Sequence, residues 1–413
     1  MKKQGKNPVA DKNNGTVNRR QFIAGAGAAA LSFSVIKPGF VKGADANSKI
    51  KVGLIGCGER GIWIIDFFKQ HGGFEVVAGA DYFQDRVDAF GDKFGIPANR
   101  RYTTLSCYKK LLESDVDAVV IESPPYFHPE QAAAAIDAGK HVYIAKPIAI
   151  DVPGCQTIAK SGKKATQNKL CLLVDFQTRS NPVFKEAIKR VKYGDIGDVI
   201  SGVASYDSGG LRLKAEQNDK PETYLRNWQN ISTYSGDNVV EGNIHMIDVA
   251  CWIFDADPVK AYGAGGRKTR TEPLPYDNWD HISSTVIFPN NAPLSFTGTE
   301  YPSGHGTMHC HVFGEYGTID TNYFGNVGIS GRNPYAGGST GSIYDQSVVN
   351  NVATFYDSIT KGKFHNPTVD PSVRSNMTSV LIRDAARKGG ELTWKQFVKD
   401  NEKLTPPLKG LKS

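Results

Sequence analysis

The sequence is poor in cysteine, and the six cysteines that it has are widely scattered. None of them forms a Cys-x-x-Cys pair, so neither a metal site nor a disulfide framework is indicated. They are Cys57, Cys107, Cys155, Cys171, Cys251 and Cys310. The chain also lacks an apolar run long enough to span a membrane stably, and it shows no internal repeat. Metal enzymes, disulfide-rich scaffolds and membrane-spanning proteins are therefore not expected.

Net positive charge is nearly absent from the body of the chain, although the formal net charge of the whole sequence is +7. Residues 1–46 contain eight Lys or Arg and two Asp, which leaves a net charge of +1 for all the residues that follow. A nearly neutral body lacks the basic surface that nucleic-acid binding requires. We therefore expect no nucleic-acid partner.

The first 46 residues are typical of a twin-arginine export signal. Arg19 and Arg20 precede a weakly apolar stretch at 23–36, and 44–46 (Ala-Asp-Ala) is a suitable cleavage site. The alternative is a chance Arg-Arg pair before an apolar patch. The twin-arginine route carries folded proteins, so this interpretation predicts a periplasmic protein that could be exported with its cofactor bound.

A buried-strand pattern at 52–55 runs directly into a Gly-x-Gly-x-x-Gly loop, which an amphipathic segment follows. The loop residues are Gly56, Cys57, Gly58, Glu59, Arg60 and Gly61. A second apolar strand ends at Asp81, 20 residues after Gly61, where a carboxylate can bind a ribose 2′-hydroxyl. This context favours a dinucleotide-binding loop over a purely structural glycine turn. The predicted cofactor is NAD, with NADP possible because Arg86 lies five residues beyond Asp81.

Beyond the signal, the chain divides into two α/β parts. Strands alternate with helices through 47–180, which predicts a doubly wound parallel sheet whose ligands lie beyond the C-terminal strand ends. Ser123, Pro124, His128 and Lys146 fall at such ends and are predicted to contact the cofactor. From 181 to 413 we expect an open, mostly antiparallel sheet. We also expect a long glycine-rich loop at 325–341, and helices at 346–360 and 371–388 that return to the first part.

Two groups of side chains are candidates for proton transfer. Lys146, fixed between a strand end and Pro147, could hydrogen-bond a substrate hydroxyl, although a solvated surface lysine is the simpler alternative. Glu241, His245 and Asp248 have the spacing of one helix face. There a carboxylate could orient the imidazole, which could then take the proton of an alcohol. A hydrogen-bonding set on a helix surface is the alternative.

These motifs together resemble those of the Gfo/Idh/MocA family, which comprises glucose-fructose oxidoreductase, inositol dehydrogenase and relatives. The resemblance covers about residues 49–400 and rests on segments beyond the glycine loop. These are Ser123-Pro124…His128, Ala138-Gly139-Lys140-His141-Val142…Lys146-Pro147 and Gly242…His245…Asp248…Trp252. It implies a Rossmann domain, an open-faced second domain, NAD(P)-linked oxidation of a sugar or cyclitol hydroxyl, and a homodimer or homotetramer.

Matched by position, Lys146 and His245 correspond to the catalytic lysine and the catalytic histidine that the resemblance implies. Glu241 falls where these dehydrogenases often have an aspartate. Two departures stand out. Ala145 replaces the glutamate of the family's Glu-Lys-Pro, and Glu122 replaces a small residue before Ser123.

Four side chains are candidates for substrate binding: Arg179, Arg226, Trp228 and Asp248. An arginine fork and a flat indole ring suit a polyol, although Arg179, Arg226 and Trp228 could equally serve packing between domains.

Three functions remain open from the sequence. The first is a carbohydrate dehydrogenase that releases or recycles its cofactor. The second is a redox glycosidase, or a partner in an oxidise-then-eliminate pathway, and the third is a non-catalytic cofactor-binding protein. The presence of both Lys146 and His245 opposes the third. An exported enzyme has no free NAD pool, which favours a cofactor that stays bound.

Overall fold

The computed structural model describes residues 49–210, 213–215, 218–301 and 306–413. The predicted export signal at 1–46 lies outside these residues. Within the described ranges, none of the helices combines the length and apolar content needed to cross a membrane. Residues 49–413 form one compact unit that is built on two sheets.

The first sheet is parallel throughout, and a helix or a short helical connection joins each strand to the next. Its strands are β1 (Ile50–Ile55), β2 (Phe74–Ala80), β3 (Arg101–Tyr102), β4 (Ala118–Ile121), β5 (His141–Ala145) and β6 (Leu172–Asp175). Its helices are α1 (Glu59–His71), α2 (Gln84–Phe94), α3 (Cys107–Glu113), α4 (His128–Asp137) and α5 (Val152–Gln167). The strand order β3-β2-β1-β4-β5-β6 is that of a doubly wound Rossmann sheet, which confirms the prediction.

The apolar strands of this sheet are buried on both faces. Val52, Leu54 and Val120 are fully buried, as parallel strands that are covered by helices on two sides require. The strand order reverses between β1 and β4, at the centre of the sheet. In folds of this type, ligands bind in the crevice beyond the C-terminal ends of the strands at that point.

The second sheet is mixed and mostly antiparallel. Its strands are β7 (Val199–Ser208), β8 (Lys260–Gly266), β9 (His281–Ile287), β10 (Pro293–Glu300), β11 (Thr307–Gly314), β12 (Gly317–Asn322), β13 (Asn326–Gly331), β14 (Tyr335–Ser339) and β15 (Leu392–Thr393). In the order β14-β13-β12-β11-β7-β10-β9-β8-β15, only β7 and β10 of these described strands run parallel. The predicted open, mostly antiparallel sheet is therefore confirmed.

Helices of the second part pack on one face of this sheet or return to the first one. They are α6 (Gln177–Ser180), α7 (Pro182–Lys192), α8 (Pro221–Arg226), α9 (Ser232–Ser235), α10 (Asn238–Glu241), α11 (Ile244–Phe254), α12 (Ile343–Thr360), α13 (Val369–Lys388) and α14 (Trp394–Asp400). Phe355 of α12 packs against Phe68 of α1, so the expected return of these helices to the first sheet is observed. On the uncovered face, Val203, Phe313 and Tyr262 remain exposed by 42%, 41% and 37%.

The glycine-rich stretch at 325–341 is not the long loop that we predicted. It forms β13 and β14, which pair with each other and extend the sheet from β12. Glycine is depleted in strands, so the residue types concealed this hairpin. Backbone hydrogen bonding to an existing sheet edge outweighs that weak preference.

Candidate active site

A cleft of about 680 Å³ lies where the C-terminal ends of the first sheet's strands face the second part of the chain. Most of the predicted site residues line it. From the first part these are Gly56, Cys57, Gly58, Glu59, Arg60, Gly61, Asp81, Ser123, Pro124, His128 and Lys146; from the second they are Arg226, Trp228, Glu241 and His245. The volume lies within the range of ordinary small-molecule pockets, about 300–1,000 Å³.

The glycine loop leaves room for an anion at one end of this cleft. Gly56 has φ +97°, and a Cβ there would come within 2.5 Å of the backbone of Glu122. A Cβ on Gly61 would lie 2.1 Å from the carbonyl oxygen of Gly56, whereas one on Gly58 would meet nothing closer than 3.9 Å. The loop is therefore tight against β4 and open towards the cleft, which fits a pyrophosphate at the N-terminus of α1.

Asp81 lies beside this loop, where a ribose would be held. Its Oδ2 accepts a hydrogen bond from the Cys57 N–H at 2.8 Å, and its Oδ1 accepts one from the Phe83 N–H at 2.9 Å. Burial raises the pKa of Asp81. Each carboxylate oxygen can accept a further hydrogen bond, so the side chain can still bind a hydroxyl. Arg86 lines the same part of the cleft.

His128 lines the cleft, and its ring lies between two backbone carbonyls, so its contact with a cofactor stays a prediction. Its Nδ1 lies 2.8 Å from the Pro147 carbonyl and its Nε2 lies 2.7 Å from the Ser123 carbonyl. Burial lowers the pKa of His128 to about 4. A neutral imidazole carries one N–H, so it donates to one of these two carbonyls and packs its other nitrogen against the second. The Ser123 hydroxyl donates to Gln131 at 2.6 Å.

Lys146 projects from the end of β5 towards the second part of the chain. Its Nζ donates a hydrogen bond to the backbone carbonyl of Glu241 at 2.7 Å. Burial lowers the pKa of Lys146, and the Glu241 carboxylate opposes that effect. The lysine is thus fixed in the cleft wall and is not a solvated surface residue.

His245, near the start of α11, lines the cleft with 5% of its surface exposed. The Tyr206 ring stacks on it at 6.3 Å, and the edge of Tyr323 meets it at 5.2 Å. Burial, followed by the charges of Lys146 and Arg60, lowers the pKa of His245 well below its ordinary value. The imidazole is therefore neutral and keeps a lone pair on one ring nitrogen.

Glu241 is not hydrogen-bonded to His245, contrary to the prediction of an orienting carboxylate. The helix is interrupted at Gly242 and Asn243, so the two residues belong to separate elements, α10 and α11. A spacing of four places side chains on one face only in a continuous helix. Among the described contacts, the Glu241 carboxylate accepts from Gln229 at 3.4 Å, and its backbone holds Lys146.

Arg179 and Asp248, both predicted to bind substrate, lie outside the described lining of the cleft. Arg179 makes three hydrogen bonds of 2.8–3.0 Å to the Asp248 carboxylate and covers the Trp252 ring at 4.9 Å. Asp248 also accepts from the Ser375 hydroxyl at 2.6 Å. A fully buried carboxylate needs such partners, so this pair is part of the packing around α11.

Arg226, also predicted to bind substrate, lies at the end of the cleft that carries Asp81. Its guanidinium donates to both oxygens of Asp85, at 2.7 and 3.1 Å, and stacks on Phe83 at 3.8 Å. These are contacts with α2 and the residue before it, on the cofactor side. Trp228 lines the cleft, and its role in substrate binding stays a prediction.

Arg226 belongs to a segment that crosses the end of the cleft at which Asp81 lies. We call residues 213–215 and 218–229 the strap. Besides Arg226, Lys214 pairs with Glu59 of the glycine loop at 3.0 Å, and Glu222 accepts from the Tyr82 hydroxyl at 3.1 Å. Leu225 packs against Phe83 in an apolar cluster that covers the adjoining pocket at Asp81. The strap therefore closes over the place where the adenosine half of a dinucleotide would lie.

Sequence reasoning missed several residues of the cleft, including Tyr206, Tyr344 and Gln177. Tyr206 is near the end of β7, and the period-2 pattern of that strand could have shown that it shares a face with other inward residues. Nothing local distinguishes Tyr344 and Gln177. In the ranges that the structure describes, no group of three or more His, Cys, Asp or Glu could hold a metal ion.

Comparisons with known proteins agree with this architecture. The family model described as "Oxidoreductase family, NAD-binding Rossmann fold" (GFO_IDH_MocA) matches residues 50–175, and the "GFO/IDH/MocA C-terminal domain" matches residues 184–320. Among curated proteins, a "Glycosyl hydrolase family 109 protein" of Shewanella pealeana is 28% identical over 162 residues, 38% of this chain and 35% of its own. An "Alpha-N-acetylgalactosaminidase" of Shewanella oneidensis matches with the same identity and coverage. The matched region thus spans about a third of these relatives.

Solved structures share the fold over most of the described chain. Levoglucosan dehydrogenase in complex with NADH superposes with a TM-score of 0.67 at 19% identity, covering 84% of this chain and 99% of that one. The myo-inositol 2-dehydrogenase of Lactobacillus plantarum gives 0.66 at 20% identity, with the same coverage. At such identities the likeness shows the fold alone.

Proposed function

Because the chain belongs to the Gfo/Idh/MocA oxidoreductase family, we propose that it oxidises or reduces a carbohydrate or cyclitol at a hydroxyl-bearing carbon. A nicotinamide dinucleotide in the cleft would be the redox partner. The observation that carries this proposal is that Lys146 and a neutral His245 line the same cleft as the glycine loop and Asp81.

Lys146 and His245 have different roles at the substrate hydroxyl: one binds its oxygen and the other accepts its proton. When bound, the nicotinamide supplies the acceptor or donor of the hydride. Lys146, held by the Glu241 carbonyl, can donate a hydrogen bond to the substrate oxygen. The neutral imidazole of His245 can take the proton of that hydroxyl as the carbon is oxidised. The enclosing wall of Tyr206 and Tyr323 keeps water from the imidazole.

The test is single-turnover reduction of bound cofactor by candidate sugars and cyclitols. A positioned base typically contributes about 10²–10⁴-fold to the proton-transfer step, so His245→Ala should lose a rate of that order while binding of the cofactor changes little. Lys146→Ala should behave similarly, and a double variant should be far from additive. His365→Ala, at an exposed position away from the cleft, is the matched control. If His245→Ala retains the wild-type rate, the assignment is wrong.

A second candidate is a redox glycosidase, which the names of the curated relatives favour. In that chemistry, oxidation at C3 would acidify the neighbouring C–H bond and elimination would release the aglycone. Water would then add across the resulting double bond, and the C3 ketone would be reduced again by the hydride first removed. The overall reaction is then hydrolysis with no net change in cofactor. Glycosides that are cleaved without accumulation of reduced cofactor would support this candidate, whereas stoichiometric reduced cofactor would support the dehydrogenase.

We further propose that the dinucleotide remains bound between turnovers. Support comes from the strap, which makes two ion pairs and an apolar contact across the cofactor end of the cleft. Mass spectrometry of gently denatured protein should detect a co-purified nucleotide. Protein that is folded, active on added cofactor and free of nucleotide would contradict retention.

We also propose export through the twin-arginine route. The motif at Arg19 and Arg20 supports it, and a folded protein with bound cofactor suits that route. Replacing both arginines by lysine should leave the protein in the cytoplasm, which cell fractionation would detect. Export that is unchanged in this variant would remove the argument.

Self-association is proposed for the uncovered face of the second sheet. Apolar side chains at Val203, Phe313 and Tyr262 are exposed there, and a second copy of the chain is the expected cover. Light scattering at micromolar concentration should give a dimer or larger. A monomer mass would contradict this proposal.

A further inference from the structure

The end of the chain runs back to the part of the cleft at which Asp81 lies. After α14 the chain continues to residue 413 without a helix or strand, and we call residues 404–412 the tail. At its start, the Leu404 N–H donates to Oδ2 of Asp151 at 2.9 Å. Asp151 also caps α5, because its Oδ1 accepts from the Gly154 N–H at 2.8 Å. The start of the tail is therefore tied to the first part of the chain.

The last residue of the tail is held through both of its backbone groups. The Lys412 N–H donates to the Tyr82 hydroxyl at 3.1 Å, and the Lys412 carbonyl accepts from the Leu105 N–H at 2.9 Å. The Tyr82 hydroxyl donates in turn to Glu222 of the strap at 3.1 Å. One hydroxyl thus joins the end of β2, the strap and the tail.

Between its two ends the tail packs against the strap. Leu408 and Leu411 are half-buried and belong to the apolar cluster that contains Leu225 of the strap. Gly410 has φ +92°, and a Cβ there would lie 3.3 Å from Cγ of Pro221, the first residue of α8. The tail therefore contacts the strap both along α8 and through the cluster.

The tail holds residues that form the wall of the pocket beside Asp81. Tyr82, Leu105 and Leu225 line this pocket, and each of them has one of the tail contacts described above. None of the tail residues is in the described lining of the pocket or of the cleft. The tail is thus placed to act on a bound nucleotide through these wall residues.

Movement of the strap is coupled to the tail by these contacts. If the strap moves away from the pocket alone, it loses the packing of Leu225 against the cluster that Leu408 and Leu411 complete. If the tail moves with it, the hydrogen bond between Leu105 and Lys412 breaks. Either route costs free energy beyond that of the strap's own ion pairs with Glu59 and Asp85.

We propose that the tail holds the strap closed over the adenosine half of the bound dinucleotide. Leu408, Leu411 and the backbone of Lys412 are the positioning residues. The inference deepens the proposed retention of the cofactor and rests on it. Coupling between two sites is reciprocal, so a tail that slows release of the nucleotide must itself be held more firmly when the nucleotide is bound.

The first measurement is the rate at which full-length protein releases reduced dinucleotide into an excess of oxidised cofactor. Leu411→Ala should release it roughly tenfold faster, because the closed state loses the burial of a partly exposed leucine. Val398→Ala is the matched control, since Val398 is a half-buried apolar residue of α14 that packs against a different cluster. It should release the cofactor at the wild-type rate. Leu408→Ala serves if Leu411→Ala does not fold, which thermal unfolding verifies.

The second measurement is hydrogen–deuterium exchange of the peptide that contains the tail. ADP-ribose, which has the adenosine and the pyrophosphate but no nicotinamide, should slow this exchange. Nicotinamide mononucleotide, which lacks the adenosine half, should leave it unchanged. Tyr82→Phe should weaken the protection by ADP-ribose and speed release, because the hydroxyl that joins Glu222 to the Lys412 N–H is removed.

Two results would overturn the proposal. One is release at the wild-type rate from folded Leu411→Ala. The other is ADP-ribose that binds to the wild type but leaves exchange in the tail unchanged. Neither measurement uses turnover, so a protein that oxidises none of the sugars or cyclitols would contradict the proposed function and still give a result for the tail.

Discussion

Replacing Arg226 by alanine should accelerate loss of the bound dinucleotide. Arg226 anchors the strap to α2 through two hydrogen bonds to Asp85 and by stacking on Phe83. In the proposed function the dinucleotide lies beneath the strap at the cofactor end of the cleft, so its release would require the strap to open. Anything that weakens the closed strap should therefore raise the rate of release.

The expected size follows from these contacts. The Arg226 side chain is 32% exposed and that of Asp85 is 63% exposed, so the ion pair is partly screened by solvent. Such a pair contributes about 0.2–1 kcal/mol, and an exposed cation–π contact adds about 0.5–1 kcal/mol. A loss of about 1–2 kcal/mol from the closed state corresponds to roughly 5–30-fold faster release, because 1.4 kcal/mol is tenfold.

The assay follows the fluorescence of bound reduced cofactor after mixing with an excess of oxidised cofactor. Arg374→Ala is the matched control, because Arg374 is 29% exposed and makes a similar double contact with Asp255 and Asp257. Asp85→Asn should also speed release, although less, since the stacking on Phe83 remains. Added salt should narrow the difference between wild type and Arg226→Ala.

Two outcomes would refute the strap argument. Release at the wild-type rate from folded Arg226→Ala would mean that the strap does not gate the cofactor. If Arg226→Ala is fast but Asp85→Asn is not, Arg226 contacts the cofactor itself and its pairing with Asp85 is incidental.

Three further predictions follow from the geometry. Asp81→Asn should narrow the preference for NAD over NADP, because a charge that would repel a 2′-phosphate beside Arg86 is removed; titration of both cofactors measures it. Stability should fall as pH drops from about 6.5 to about 4, since burial lowers the pKa of His141 to about 4 and the unfolded chain then binds more protons. Protonation of His141 also removes the Nδ1 acceptor of the Cys171 N–H, so the melting temperature of His141→Gln should depend less on pH than that of the wild type. Glu241→Gln should reduce the single-turnover rate less than tenfold, because the backbone carbonyl that holds Lys146 is retained.

The features that the sequence predicts well are those set by neighbours along the chain. A strand, a tight glycine turn and a helix start follow one another within 50–71, and each has its own local signal. Gly56 and Gly61 could be assigned because a turn that close excludes a Cβ whatever the distant residues are. Asp81 could be assigned for a similar local reason, because it directly follows β2 and so lies beside the loop.

The helix break before His245 shows where this kind of reasoning stops. Glu241 and His245 are four positions apart, and the pattern favours a continuous helix. The chain instead bends at Gly242, where a Cβ would lie 2.5 Å from Oε1 of Glu300, a residue of β10 that is far away in sequence. A contact between distant segments thus decides whether two nearby residues face each other. No periodicity within the segment carries that information.

The residues that pair with buried charges also cannot be predicted from a single sequence. Arg179 and Asp248 are 69 residues apart, and Arg60 and Asp175 are 115 apart. Arg179 was a candidate for substrate binding as a fork of donors, and Asp248 because its spacing puts it on one helix face with His245. Their mutual pairing satisfies both and leaves neither free. The sequence shows that such charges exist, but only the fold shows which of them neutralise each other.

The departures at Glu122 and Ala145 show a further limit of sequence reasoning. Each residue taken alone departs from the family pattern, and the 22 residues between them give no reason to connect the two. The register of β4 and β5 nevertheless makes Glu122 and Ala145 neighbours, and Arg60 reaches both Glu122 and Asp175. Which strand ends lie side by side, and therefore which departures adjoin, follows from the strand order of the sheet and from no pattern along the chain.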